Sequence, residues 1–435
     1  MREGRSSPVG DTGADPVRPS PGSQPRNPLK LESRVLGLRV FLFFAGGFFL
    51  SYLYRSVNAV LAPDLIADLG LRADQLGLLT SVYLLAFASF QPVLGVLLDR
   101  FGPRRVEAAL LLLAAGGALV FAAADGMTGL LVGRALIGVG VSACLMGGLK
   151  ANVLWFDGPR LPLVNGLLLA AGGLGAVCAG LPVEFGLQWT DWRGILVALA
   201  AVTLLLAIGI ATGVPERSAP DGVPNRQELL AGLRRVYASG LFWRVAPATM
   251  LSQGAFLATQ GLWAGPYLAD VSGLDRRAVA THLSAIAAAM AVGFLLTGVI
   301  TERLERRGIT ALQVAGGGMI LFVVIQIAIL AFPAGPTLLL WCAYGLFGTA
   351  GIITFTTLTR GFGAGLTGRA NTAVTLVTFA SAFAIQAATG ALLEYFPGGA
   401  AGHYEPAGHR LALAAVIGAQ IVALLWYCIP MRANR

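Results

Sequence analysis

Apolar residues run along this chain in blocks of roughly twenty, each closed by a short polar or glycine-rich turn. A hydrocarbon core about 30 Å thick is crossed by a helix of roughly 20 apolar residues, so each block predicts one crossing. Twelve spans are expected, at 40–62, 76–98, 105–124, 129–151, 163–184, 193–213, 243–265, 279–301, 310–331, 337–359, 370–392 and 410–430. The predicted fold class is all-α and integral to the membrane, and an even count puts both termini on one side. The first span, FLFFAGGFFLSYLYRSVNAVLAP, breaks the apolar pattern with Arg55, past its middle. Ser51, Arg55 and Asn58 share a helical face by i, i+4, i+7 spacing. A charge at that depth costs about 2.5–3.5 kcal/mol on insertion scales, and arginine does not escape by losing its proton. The rest of the chain must give Arg55 a protein or water environment and, on the functional reading, an anion. The competing reading is a structural arginine bonded to a carbonyl or a neighbouring helix.

Composition agrees with the pattern. Only 12% of the 435 residues are charged and 56% are hydrophobic, against about 25% charged in soluble proteins. The net charge of +9 follows from topology. The tail, the even-numbered loops and the C-terminus hold 24 of the 31 basic residues, and the other side holds five: Arg72, Arg193, Arg276, Arg277 and Arg410. The basic-rich side is expected to be cytoplasmic, with both termini there, in a bacterial inner membrane. No basic–aromatic interleaving argues for nucleic acid. Cys144, Cys178, Cys342 and Cys428 lie within apolar runs without CxxC spacing and read as small packing residues. Residues 1–38 form a Pro-, Gly- and Ser-rich tail without a signal-peptide core, expected to be disordered and cytoplasmic.

The longest internal loop, 214–242, begins PERSAPDGVPNR and continues QELLAGLRRVY. The second part sets Leu229, Leu230, Leu233, Val236 and Tyr237 against Arg226, Arg234 and Arg235, a pattern for a short helix at the cytoplasmic interface, with a partner-binding helix as the alternative. The loop divides the chain into bundles at 39–213 and 243–431, leaving a short tail at 432–435. The two halves echo each other. Gly95-Val-Leu-Leu-Asp99-Arg100-Phe-Gly102-Pro-Arg104-Arg105 follows span two, and Gly298-Val-Ile-Thr-Glu302-Arg303 follows span eight.

These residues carry a resemblance. GxLxDRxGxRR between spans two and three resembles the signature loop of the major facilitator superfamily, and the copy at Glu302–Arg303 sits where that family has one. Arg134-Ala-Leu-Ile-Gly138-Val-Gly140 is similar to its fourth-span RxxxGxG pattern, and Trp192-Arg193-Gly194 also fits. The resemblance covers about residues 40–430. It implies two pseudo-symmetric six-helix bundles that work by alternating access. It also implies a cytoplasmic gate of Gly95, Asp99, Arg100, Gly102, Arg104, Glu302 and Arg303, with Asp99 set against the start of span eleven near Gly368–Arg369, where a helix dipole favours a carboxylate. On the plainer reading those charges only mark a cytoplasmic turn.

In that superfamily spans one, four, seven and ten line the central cavity, helped by two, five, eight and eleven. On these spans stand Tyr52, Arg55 and Asn58; Tyr83, Phe87 and Gln91; Gln253, Phe256, Gln260 and Trp263; Tyr344 and Phe347; and Gln386. Substrate-binding candidates are Arg55, Tyr52, Asn58, Tyr83, Gln91, Gln253, Gln260, Trp263, Tyr344 and Gln386. Tyr52-Leu-Tyr54-Arg55-Ser-Val-Asn58 is further similar to the first span of organophosphate:phosphate antiporters, where an arginine at this place binds phosphate. Those proteins carry a second arginine deep in span seven, whereas this chain has Gln253 and Gln260 there. A carboxylate or other monoanion suits one arginine better, since guanidinium forks a carboxylate. Lys150 and Arg134 near the ends of span four are read either as anion contacts or as residues reaching headgroups, with Asp125 a further partner for Arg134.

No Asp or Glu is expected at mid-depth; Glu107, Glu184 and Glu394 are placed near span ends. Lacking a buried carboxylate relay, the chain reads as a uniporter or exchanger, with proton co-transport through Glu394 or the substrate left open. No nucleophile–base pair, metal-ligand cluster or phosphate loop stands in a credible context, so neither an enzyme nor a cofactor is expected. The expected partners are a small anionic substrate and the lipid bilayer, the expected state a monomer. The alternatives are a drug-type multispecific exporter, which Arg55 argues against, and a non-transporting receptor or scaffold of the same fold.

Overall fold

The computed structural model describes residues 28–156, 160–216, 226–333, 335–362, 367–399 and 402–429. The helices in chain order are α1 (Pro28–Ser56), α2 (Asn58–Leu69), α3 (Ala73–Ala122), α4 (Met127–Gly140), α5 (Ala143–Trp155), α6 (Leu161–Cys178), α7 (Leu181–Gly186), α8 (Trp192–Gly213) and α9 (Arg226–Tyr237). They continue with α10 (Gly240–Ala258), a π turn (Thr259–Trp263), α11 (Ala264–Asp270), α12 (Arg276–Glu305), α13 (Ala311–Ala331) and α14 (Thr337–Phe347). A 3₁₀ turn (Ala350–Ile352), α15 (Ile353–Phe362), α16 (Thr367–Leu393) and α17 (Pro406–Cys428) complete the chain. Among the described residues ten helical stretches are long and apolar enough to cross a membrane. The two remaining predicted blocks are the interrupted ones. The block at 163–184 breaks after Cys178 and resumes as α7, and that at 243–265 is divided by the π turn. α1 starts at Pro28, inside the stretch expected as tail; the tail before it and the linker core 217–225 lie outside the described residues.

Spans two and three are the two arms of α3, which kinks at Gly102. Gly102 has φ of 76°, a region closed to most side chains, so the signature loop needs glycine there for backbone reasons. The two arginines after it brace the kink: Arg104 donates from Nε to the Ala211 carbonyl (3.0 Å) at the C-terminal end of α8, and Arg105 pairs with Glu216 (2.7 Å). A cation at a helix C-terminus meets the negative end of its dipole.

Lipid supplies no hydrophobic drive between helices, so close packing carries association. α3 and α4 touch backbone to backbone: a β-carbon at Gly140 would collide with the Ala114 main chain, and one at Gly138 would stand 2.5 Å from Tyr83 O. Large apolar side chains such as Leu205, Leu339 and Val422 point outward instead, as expected of surfaces bathed in hydrocarbon.

The helix predicted at the interface exists, but its end is packed on protein. Val236 is fully buried with Phe242, Leu358, Ala370 and Val374, and Tyr237 donates to the Ala373 carbonyl (3.4 Å). The linker helix is thereby anchored to the C-terminal half.

Gly140→Ala is expected to destabilise the protein by about 1–3 kcal/mol through overpacking, whereas Gly116→Ala, on α3 with open space around it, should not. Thermal unfolding of the two purified variants, followed by tryptophan fluorescence, checks the contrast.

Candidate functional site

Arg55, near the end of α1, is 6% exposed. Its guanidinium carbon lies 4.5 Å from the Tyr52 ring centroid, 5.1 Å from Phe379 and 5.4 Å from Phe87. Phe87 and Phe379 stack on each other at 4.7 Å, joining α3 to α16. Each cation–π contact contributes about 0.5–2 kcal/mol, more when water is excluded, so three rings offset a cost of about 3 kcal/mol for the buried charge. Among the described residues no carboxylate pairs with Arg55, and its Nε has no hydrogen-bond partner. Tyr52 also hydrogen-bonds to the guanidinium, and Nε remains a donor of the kind a carboxylate binds.

Two more orphaned side chains belong to the neighbouring C-terminal elements. Gln260, in the π turn, donates to Ser56 Oγ (3.2 Å) and leaves its Oε1 buried without a partner. Gln386, on α16, has neither amide atom satisfied. Gly261 ties the group together: a β-carbon there would stand 3.9 Å from Arg55 O and 3.9 Å from Gln386 Nε2. Trp263 donates to the Gln386 carbonyl (3.0 Å) beside the close approach of Gly77 to Gly390. A buried polar atom without a partner carries a cost of about 1–3 kcal/mol, so Gln260 and Gln386 leave unsatisfied amide atoms beside the main chain of Arg55.

The other sequence candidates are engaged within the protein. Asn58, its amide oxygen turned to Arg134, accepts from Nε (3.3 Å) and Nη2 (3.1 Å) and from Thr80 Oγ1 (3.3 Å). Ser51 donates to the Val141 carbonyl, and Tyr83 donates to that of Ser51 (3.1 Å). The polar face foreseen on span one is thus mostly mortar between α1, α3 and α4, with Arg55 its free member. Gln91 reaches the Ser142 carbonyl (3.5 Å) and Gln253 that of Gly348 (2.7 Å), both at breaks in helices. Tyr344 lies apart, among Phe256, Phe322 and Trp341, with its hydroxyl on the Ala255 carbonyl.

One sequence expectation is corrected. Arg134 reaches neither headgroups nor Asp125: it is 1% exposed, donates to the Tyr54 carbonyl (2.9 Å) and lies over the Tyr83 ring (5.1 Å), while Asp125 pairs with Arg193. Glu107, just past the Gly102 kink on the second arm of α3, is fully buried against Gly47 of α1 and Gly147 of α5. Glu302 pairs with Arg306, one turn on. The Asp99 and Arg369 side chains lie outside the described residues. Of the other gate residues, Gly95 faces open space and Arg100 lies over Phe101 (5.2 Å); Lys150, on α5, donates to the Leu98 carbonyl (2.8 Å). Phe379 was missed from sequence, although it stands two turns before Gln386 on the same face of α16.

One end of the molecule is fastened. Arg276, at the start of α12, holds Asp64 of α2 (2.9 and 2.7 Å) and Glu184 of α7 (both oxygens at 2.8 Å). Ser284 accepts from Leu181 N (2.7 Å), and Arg72 meets Glu394 (3.4 Å). A cavity of about 390 Å³ lies just inside, between Ala59, Ala62 and Ile66 on one side and Gly265, Ala269 and Val279 on the other, with Glu184, Asp270, Arg276 and His403 among its charged lining. At the same end Arg193 and Trp192 hold the Asp68 carboxyl below the usual carboxylate range. That contact therefore persists at neutral pH and is lost only as pH falls through the lowered value.

Known proteins share this architecture. A "Probable sulfoacetate transporter" of Cupriavidus necator is 25% identical over 64% of this chain and 67% of its own length. The "Hexuronate transporter" of Escherichia coli K12 is 27% identical over 40% of this chain, less than half (41%) of that protein. A "Probable L-galactonate transporter" of the same organism is 26% identical over 63% of each chain. The crystal structure of a bacterial homologue of the human lysosomal transporter Spinster superposes with a TM-score of 0.71 at 19% identity, covering 93% of this chain and 97% of that one. The sequence profile described as "Major Facilitator Superfamily" matches residues 44–389. On helices, site and sequence together, the chain belongs to the major facilitator superfamily, as a multi-pass integral membrane transporter.

Proposed function

We propose that this chain is a secondary carrier of a small organic anion, a carboxylate or other monoanion, bound at Arg55 between two six-helix bundles. The observation that carries the reading is a buried guanidinium that is surrounded by three aromatic rings and whose Nε is unclaimed. An anion forks onto guanidinium donors. Gln260 and Gln386 offer the adjacent amide atoms for hydroxyl or second-acid groups, and Tyr52 and Trp263 close the site. The relatives named for sulfoacetate, hexuronate and L-galactonate support an acidic cargo.

The reading includes twelve spans, with bundles at 39–213 and 243–431 and both termini cytoplasmic. α6 with α7 is the fifth span and α10 through α11 the seventh. On this orientation the Arg276 clasp lies on the outer side, and the arrangement is one closed outward. Asp99 and the signature loop then close the inner side when the bundles rock, and Arg276 must release Asp64 and Glu184 for the outer side to open.

Arg55→Ala is expected to lower uptake of sulfoacetate, galacturonate or galactonate into proteoliposomes by about a hundredfold, and Arg55→Lys by about tenfold, since lysine keeps the charge and loses the fork. Unchanged flux in the alanine variant, with normal insertion, overturns the anion site. Arg276→Ala should raise labelling of Val279→Cys by an impermeant maleimide about tenfold, as the clasp opens. Asp99→Asn should slow transport several-fold with binding affinity little changed, read by comparing turnover with ligand-induced thermal shift.

A further inference from the structure

Glu107 is the one buried side chain among the described residues whose two carboxylate oxygens both lack a partner. It is wholly inaccessible on the second arm of α3. Two helices make its seat. A β-carbon at Gly47 of α1 would collide with Oε1, and one at Gly147 of α5 would stand 2.5 Å from Oε2; Phe44 and Cys144 complete the walls. Only glycine at both positions leaves room for the carboxyl group.

The charged and titratable neighbours are otherwise engaged or distant. Cys144 is the titratable group of α5 at the seat, and Lys150, further along α5, donates to the Leu98 carbonyl. Arg55 and Arg39 are the nearest cations along α1 from Gly47, each eight residues away, about 12 Å at the helical rise; Arg39 is turned to Gly213 at the end of α8. On α3 itself Arg104 and Arg105 are turned to Ala211 and Glu216, and on α4 Arg134 is turned to Tyr54 and Asn58. α8, also packed on α3, brings only Arg193, at its far end.

An ionised carboxylate sealed in this seat would carry a desolvation cost of several kcal/mol with nothing to offset it. A leucine or methionine would fill the space without that cost, so packing does not explain glutamate. A neutral carboxylic acid fits, and it can release its proton only when α1 and α5 part enough to admit water. The means is present: α5 starts after a break at Val141–Ser142, and α1 carries both Gly47 and Arg55.

We propose that Glu107 is a proton-binding site whose loading is linked to the seating of α1 against α5, and through α1 to the anion at Arg55. The link to the anion rests on the carrier reading above. The proton sits on a carboxylate oxygen and leaves to water as the helices separate. Linkage is reciprocal, so an anion that moves α1 changes proton affinity by the same factor as the proton changes anion affinity. The chain is then a proton-coupled carrier, with the proton on Glu107 where the sequence left open only Glu394 or the substrate.

The test uses the full chain in liposomes. Infrared difference spectra of ligand-free protein at neutral pH should contain the C=O stretch of a protonated carboxyl that Glu107→Gln and Glu107→Met both lack; its absence from the native protein overturns the proton site. With Cys144 as sole cysteine, raising the pH by one unit should accelerate N-ethylmaleimide labelling about fivefold more with Glu107 than with Glu107→Gln. Equal acceleration overturns the link to helix separation. Galacturonate uptake should move protons, read by an internal pH dye, and Glu107→Gln should abolish that movement. Galacturonate entering without protons overturns the link to the anion. Failure of galacturonate, sulfoacetate and galactonate alike to enter the native protein overturns the carrier reading and with it that link, while the first two arms still decide the proton site.

Discussion

A guanidinium keeps its charge wherever it is put, so the chain around Arg55 must be arranged to tolerate it. The solution here is aromatic rather than acidic. Tyr52 comes from the same helix one turn earlier, Phe87 from α3 and Phe379 from α16. A carboxylate would neutralise the charge and consume the donors, whereas rings stabilise the charge and leave the donors in place. The choice of partner separates a structural arginine from one that waits for a ligand. Because Phe379 comes from α16, the same contact ties Arg55 of α1 to the C-terminal half of the chain.

The second buried arginine makes the contrast. Arg134 has a carbonyl, an amide oxygen and a ring, all within the N-terminal half. Its hydrogen-bonding capacity is spent on joining α4 to α1 and α3. Two buried arginines thus differ in how their hydrogen-bonding capacity is used, decided by which neighbours have accepting oxygens. A stripe of polar residues on one helix does not reveal this, since Ser51, Arg55 and Asn58 read alike in one dimension while two of them are used as mortar.

Most helix positions and the buried charge of Arg55 were legible in sequence because each follows from a local rule, apolar run length and a charge inside an apolar block; the signature loop was legible through its likeness to a known pattern. The partners were not. Arg104 finds a carbonyl more than a hundred residues away, Glu302 takes Arg306, and Tyr344 joins an aromatic cluster. The burial of Glu107 was hidden for a related reason. Its distance from the nearest loop in residues is small, but the turn at Gly102 is so tight that the next helix is enclosed almost at once. Depth depends on where neighbouring helices begin, which no single segment records.

The interruptions in the helices point the same way. α1 gives way to α2 at Val57, α4 to α5 at Val141–Ser142, α10 to α11 through the π turn, and α14 to α15 through a 3₁₀ turn. Irregular backbone at such depth is tolerated only where protein or water satisfies its polar groups, and here Gln91 and Gln253 do so at two of the four breaks. These four breaks fall in the first, fourth, seventh and tenth of the predicted blocks, the same step in each half, and a further one, after Cys178, falls in the fifth. A rigid rod would transmit every displacement along its length; a broken one lets its two ends respond separately. α5 can therefore shift at Glu107 while α4 holds Arg134, and the π turn can move Gln260 while α10 stays fixed through Gln253. The glutamines that were taken from sequence as ligands are better understood, at these two breaks, as the pins that keep a jointed helix from unravelling.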